Sequence, residues 1–286
     1  MTNSVKLFDN ITLTSSHHSK KILTDIRYIP DHRKKPVILF IHGFKGFKDW
    51  GHFNLIADTA AEECFIFVKP NLSHNGTTPE NPQDFADLEA FSENNFSIEL
   101  DDTGTVINYL FSQDCVVPPS EMDLNKLFLM GHSRGGGLVL LKAKEDRRIK
   151  GVATWSAVDD FNRWTDNLLK GWKENEIAYV YNSRTKQNMP VKYQIVEDLK
   201  SNHERLHISN AVKVLQIPFL IVHGSQDETV GVQSASYLHK LNPQSELLII
   251  DGANHVLGGA HPYYQSILPD HTQTALKQTL NFFKHI

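Results

Sequence analysis

Leu127-Phe128-Leu129-Met130-Gly131-His132-Ser133-Arg134-Gly135-Gly136-Gly137-Leu138 runs from four apolar residues into a glycine-bracketed serine, then into a second apolar run. Four consecutive apolar residues closed by Gly suit a strand buried on both faces, as in a parallel sheet. The spacing Gly131-x-Ser133-x-Gly135 predicts a sharp strand-to-helix turn, which strains the serine backbone and accepts only small neighbours. Such a turn projects Ser133 Oγ above the sheet, with the free N–H groups of the next helix aimed at whatever binds there. A Gly-rich phosphate loop or an ordinary strand-to-helix turn could carry the same letters, so partners elsewhere in the chain have to decide.

Outward from this stretch, apolar runs recur at residues 37–41, 64–68, 151–155, 219–222 and 247–250. Helical periods lie between them. Leu100, Thr103, Ile107 and Leu110 share one stripe, and Ala275, Leu276, Leu280 and Phe283 share another. Strand alternating with helix predicts an α/β fold, a mostly parallel central sheet flanked by helices. Residues 21–28 and the residues up to Thr14 read as an antiparallel edge hairpin. Residues 71–93 are polar and Pro-rich and read as a surface or site-rim excursion. Residues 156–217 exceed one crossover and read as a helical cap inserted over the strand ends, within a single domain spanning 1–286. Trp155, Trp164 and Tyr181 are the aromatic candidates for a substrate pocket beneath it.

The chain has 286 residues, 40% hydrophobic and 22% charged, which fits a globular protein and disfavours disorder. Its 29 basic and 33 acidic residues leave a net charge of −4, which argues against a dedicated nucleic-acid binder. Cys64 and Cys115 cannot build a disulfide framework or a zinc ribbon and read as reduced thiols of a cytoplasmic protein. The N-terminus has no secretory apolar region, and no apolar run approaches the roughly 20 residues of a membrane span.

A serine hydroxyl needs a base, and the base needs an orienting acid. Strand 219–222 ends in His223-Gly224-Ser225-Gln226-Asp227, and strand 247–250 ends in Asp251-Gly252-Ala253-Asn254-His255. In an open parallel sheet these ends share one edge, so Ser133, Asp227 and His255 converge. His261 is a rival base, and Glu228 and Asp251 are rival acids. The strand 37–41 ends in His42-Gly43-Phe44, and the backbone N–H groups of Phe44 and Arg134 are natural donors to an oxyanion. The Arg134 side chain has a separate reading, as a cap on carbonyls or a partner for an acid. His42 and His223, each before a Gly, read as backbone-bonded core residues. His132 reads as packing.

His203-Glu204-Arg205-Leu206-His207 matches H-E-x-x-H, two histidines on one helical face with a glutamate base. The longer form of that motif needs Gly and His where Asn210 and Lys213 stand, and Ile208-Ser209-Asn210 looks like a helix end. No metal is assigned.

The patterns FIHGF, GHSRGG, HGSQD and GANH, in this order, resemble the α/β-hydrolase superfamily from about Val37 to the C-terminus. Within it they are most similar to single-domain esterases and to the catalytic domain of prolyl-oligopeptidase-type peptidases. The resemblance implies Ser133 as nucleophile, His255 as base, Asp227 as acid, and Phe44 and Arg134 as backbone donors. The expected activity is hydrolysis of a small or medium carboxylic ester through an acyl-enzyme, with no cofactor. The expected partner is a small-molecule ester, and the expected state a monomer or homodimer. An amidase or aminopeptidase, a thioesterase and an inactive hydrolase-like binding protein are the alternatives. Peptidases of the superfamily carry a large accessory domain for which this chain has no room, and the lipase-type HGGG motif is absent, since Lys45 follows Phe44.

Overall fold

The structure is a computed structural model that describes residues 4–286. Strands β1 (Lys6–Thr14), β2 (Lys21–Tyr28) and β3 (Lys35–Ile41) lead to helix α1 (Phe53–Glu62) and strand β4 (Ile66–Asn71). Helices α2 (Leu88–Ser92) and α3 (Phe96–Leu110) precede β5 (Met122–His132), α4 (Arg134–Glu145) and β6 (Ile149–Trp155). Next come α5 (Asp166–Asn175), β7 (Ile177–Asn182), β8 (Gln187–Lys192), α6 (Gln194–Ser201), α7 (His203–Leu206) and α8 (Ile208–Val214). The chain closes with β9 (Phe219–Gly224), α9 (Gln233–Leu241), β10 (Glu246–Ile250) and α10 (Asp270–Lys284).

Eight strands form one sheet in the order β1-β2-β4-β3-β5-β6-β9-β10. The first three pair antiparallel, and β4 through β10 pair parallel. The antiparallel start is the edge hairpin read from the sequence; residues 1–3 of its first arm lie outside the described residues. Both faces are covered, which is why the strands read as unbroken apolar runs. On β3, Val37, Leu39 and Ile41 enter one core, while Ile38 and Phe40 enter the other, against Phe53 of α1. On β5, Phe128 stacks on Phe283 of α10 with ring centroids 4.5 Å apart. In register, Ile41 pairs with Gly131, His132 with Trp155, and Trp155 with Val222. The loops after β3, β5, β6 and β9 therefore leave the sheet along one edge.

Two segments differ from the expectations. The insertion is not wholly helical: β7 and β8 form an antiparallel hairpin. In β7, Ala178 and Val180 pack inward while Tyr179 and Tyr181 are exposed, a period of two. Residues 71–93 are a surface excursion only in part. Asn71 to Asn75 are buried, and the segment makes a shelf for the hairpin, with Asp84 bonding Arg184 (2.9 Å), the Phe85 carbonyl bonding Gln187 (3.2 Å) and Glu89 bonding Lys192 (2.8 Å). A buried group of two lysines and two aspartates fixes the start of the loop after β3. Lys69 Nζ lies 2.8 Å from Asp25 and 2.7 Å from Asp49, and Lys48 Nζ lies 3.0 Å from Asp25. Breaking one member would strand a buried charge.

Burial also holds four imidazoles neutral. It pushes His42, His52 and His74 down to about 4 and His132 to about 3, from an ordinary value of 6.5. Each is deprotonated when folded and takes up a proton on unfolding below pH 6.5. Their stabilising contribution is therefore full above about pH 6.5 and is lost as pH falls toward 4. Urea midpoints should drop steeply across that window. His74→Gln should make the fall shallower by up to about 1.4 kcal/mol per pH unit, and an unchanged slope would contradict this account.

Candidate active site

Ser133 stands between β5 and α4 with φ 57° and ψ −120°, a conformation that strains any residue with a Cβ. The strain persists because the surrounding chain leaves no alternative. A Cβ on Gly131 would lie 2.3 Å from the Gly135 carbonyl oxygen, and one on Gly135 would lie 2.2 Å from that of Ile41. A Cβ on Gly43 would sit 2.9 Å from Ser133 Cβ, so the loop after β3 closes directly against the serine.

Three side chains from distant loops form a hydrogen-bonded line. His255 Nε2 is 3.1 Å from Ser133 Oγ, and His255 Nδ1 is 2.8 Å from Asp227 Oδ2. Asp227 Oδ1 accepts the backbone N–H groups of Thr229 (2.9 Å) and Val230 (2.8 Å). Burial pushes the Asp227 carboxyl up, but the bonds from His223, His255 and Val230 outweigh it and hold the group ionised, well below the usual carboxylate range. An ionised acceptor at Nδ1 fixes the proton there and leaves the Nε2 lone pair facing the serine hydroxyl.

His223 is buried, as read from the sequence, and donates from Nε2 to the Val230 carbonyl at 2.8 Å. The same nitrogen also lies 3.2 Å from Asp227 Oδ2, a contact that no motif announces. His42 donates from Nδ1 to the Gly43 carbonyl at 2.9 Å. His132 packs its ring 4.9 Å from that of His255 and donates to the His255 carbonyl at 2.9 Å, so it also steadies that loop. The Arg134 side chain pairs with an acid, Glu99 Oε1 at 3.3 Å, and covers the Phe44 ring at 4.1 Å. Its backbone N–H opens α4 and has no acceptor within the helix. No described protein group accepts the N–H of Phe44 or of Arg134.

The rivals have other hydrogen-bond partners or none near Ser133 among the described residues. His261 Nδ1 accepts the Gly51 N–H at 2.8 Å, and Asp251, exposed, accepts the Ser225 hydroxyl at 3.1 Å. Glu228 is exposed. In the HERLH stretch α7 ends after one turn, and His207 Nδ1 instead accepts the Asn210 N–H to cap α8.

A cleft of about 310 Å³ opens over Ser133 and His255. Phe44, Trp50, Phe53, Val256 and His261 line it from the main fold, and Asn182, Ser183 and Arg184 line it from the hairpin turn. A larger groove of about 750 Å³ between α1 and α10 is lined by no histidine or cysteine and has no nucleophile–base pair.

The expected aromatics do not line this cleft. Trp155 ends β6 on the other face of the sheet, where its indole N–H donates to Thr279 Oγ1 of α10 at 3.0 Å. Trp164 packs edge-on against Trp172 with centroids 5.3 Å apart, inside the insertion. Tyr181 is 58% exposed, and its carbonyl reaches toward the cleft, to Lys45 Nζ at 3.3 Å. Trp50 and the hairpin turn take their place. Trp50 could have been found from the rule that loops at strand ends carry the site; the turn was hidden behind an unrecognised hairpin.

A serine, a histidine and a carboxylate aligned at the C-terminal edge of this sheet define a member of the α/β-hydrolase superfamily. The chain belongs to the prolyl oligopeptidase family, whose sequence profile matches residues 52–286. No curated protein matches it in sequence. Among solved structures it is similar to ferulic-acid-bound Est1E from Butyrivibrio proteoclasticus, with 19% identity over 95% of this chain and 99% of that one, at a TM-score of 0.68. The α/β hydrolase GrgF from Penicillium sp. sh18 shares 14% identity over 98% of each chain, with a TM-score of 0.69. An esterase domain from a Rhodothermus marinus protein shares 18% over 99% of this chain and 97% of that one, with a TM-score of 0.60. At such identities the likeness bears on the fold.

Trp155→Phe should cost about 1 kcal/mol in urea unfolding through the lost bond to Thr279, with turnover of any substrate unchanged. A changed turnover at equal stability would return Trp155 to the cleft.

Proposed function

We propose that the chain is a serine hydrolase that cleaves a small or medium carboxylic ester through an acyl-enzyme. The observation that carries this reading is the line from Asp227 through His255 to Ser133, with bonds of 2.8 and 3.1 Å, on a strained turn facing an open cleft. Ser133 Oγ attacks the ester carbonyl while His255 Nε2 takes the hydroxyl proton. The charge on the carbonyl oxygen develops beside the Phe44 and Arg134 N–H groups, each donor worth about 3 kcal/mol in the transition state. The tetrahedral intermediate collapses, His255 returns its proton to the leaving alcohol, and the acyl group stays on Ser133. Water then attacks the acyl-enzyme with His255 again as base, releasing the acid and the free serine. Asp227 keeps the imidazole in the required tautomer and stabilises its charged form. The chemistry uses side chains and backbone of this chain alone.

The family supplies a second reading. A prolyl oligopeptidase family member with this line of residues has the groups needed for amide cleavage, with the same nucleophile and a leaving amine protonated by His255.

Turnover of p-nitrophenyl acetate, butyrate and octanoate, beside an alanine p-nitroanilide, separates the two. Ser133→Ala should lower kcat/KM on the best ester by at least about 10³-fold, with an unchanged circular dichroism spectrum. Turnover in the variant equal to that of the wild type would contradict the proposal. Amide turnover exceeding ester turnover would favour the second reading.

A further inference from the structure

The walls of the cleft are charged with one sign. Lys45 and Arg184 line it, and no Asp or Glu does, in a chain whose net charge is −4. Lys45 is half-buried, and its partners differ from those of the buried lysines. Lys35, Lys48, Lys69 and Lys142 each have a carboxylate within 3.0 Å. Lys45 has none within 4.0 Å among the described residues, and its ammonium donates to a single neutral acceptor, the Tyr181 carbonyl at 3.3 Å. An ammonium has three N–H donors, so two are open to solvent or to a ligand. Partial burial lowers the Lys45 pKa. Arg184 is held differently. Asp84 at 2.9 Å and the Gln83 carbonyl at 3.2 Å anchor its guanidinium over the rings of Phe47 and Phe85. Its charge is paired with a carboxylate that does not itself line the cleft.

The position matters as much as the charge. Lys45 follows Phe44, whose N–H faces the developing oxyanion in the proposed mechanism, so its ammonium is carried by the same loop as that donor. A lysine that only tied the hairpin to the main fold through the Tyr181 carbonyl would need a donor and no charge.

Resting on the ester-hydrolase reading, we infer that the cleft selects esters that carry a second, anionic group, and that Lys45 with Arg184 recognises it. The substrate class is a monoester of a dicarboxylic acid or an ester of a carboxylate-bearing alcohol. The carboxylate supplies the counter-ion that Lys45 lacks, and the positive wall draws such substrates in.

Two matched pairs of esters test this: p-nitrophenyl hemisuccinate against p-nitrophenyl butyrate, and 4-carboxyphenyl butyrate against phenyl butyrate. Each is read as Ser133-dependent kcat/KM above the spontaneous rate. The first pair places the anion on the acyl side, the second on the leaving side. In at least one pair the anionic ester should lead by about tenfold, chiefly through KM. Lys45→Met and Lys45→Gln should bring that ratio near unity, and Lys45→Arg should keep it. Should the variants misfold, salt gives the same answer on the wild type: raising NaCl from about 20 mM to about 500 mM should erode the advantage. Equal turnover within both pairs, a salt-independent ratio, or a ratio that survives Lys45→Gln would overturn the inference while leaving the ester reading intact. Absence of Ser133-dependent turnover on all four esters would overturn both.

Discussion

The contact on which the rest of the structure depends is a near-collision of backbones. At the turn from β5 to α4, Gly131 and Gly135 press against carbonyl oxygens so closely that a Cβ on either would lie 2.2–2.3 Å from one. That approach pulls the first turn of α4 against the end of β3 and forces Ser133 to φ 57°. Helix, strand end and serine are thereby placed together. The parallel register then lines up the ends of β6 and β9 beside them, so that loops from across the sheet reach the same point. Strain of this kind lasts only where its surroundings are rigid, and here two cores and the buried Lys48–Asp25–Lys69–Asp49 group supply the rigidity.

The electrostatics follow from that geometry. Asp227 is buried yet ionised because two backbone N–H groups hold one oxygen and two imidazoles face the other. Among the described residues His223 Nδ1 has no partner, so its proton sits at Nε2, between the Val230 carbonyl and the Asp227 carboxylate. The carboxylate can rotate little, and its orientation sets the tautomer of His255. His132, neutral and packed on the His255 ring, holds the other side of that loop. The line of three is thus the visible end of a larger hydrogen-bonded assembly built by strand-end residues.

What could be read from the sequence was what the sheet edge dictates. Ser133, Asp227 and His255 each follow an apolar run, and in a parallel sheet all such ends meet, whatever their separation along the chain. Trp155 shows where that reasoning stops. It too ends a strand, but a strand residue still obeys the pleat, and Trp155 points to the α10 side, where Thr279 takes its N–H. Parity along β6 is not marked by any polar alternation, because both faces are apolar. The hairpin of β7 and β8 was hidden for another reason. Pro190 interrupts β8, a residue that argues against a strand except at an edge, and the aromatics of β7 resemble those of a helical cap. With the hairpin unseen, the Asn182-Ser183-Arg184 wall of the cleft could not be anticipated, and neither could the shelf that residues 83–93 make for it.

The proposed chemistry requires that this geometry activate Ser133 above every other hydroxyl of the chain. A fluorophosphonate probe measures that most directly, since it phosphonylates only a serine with a working base, and peptide mass mapping locates the adduct. One adduct per chain is expected, on Ser133, lost in Ser133→Ala and formed at least about 10³-fold more slowly in His255→Ala. A folded wild-type chain that stays unlabelled, or carries its adduct on another residue, would contradict it.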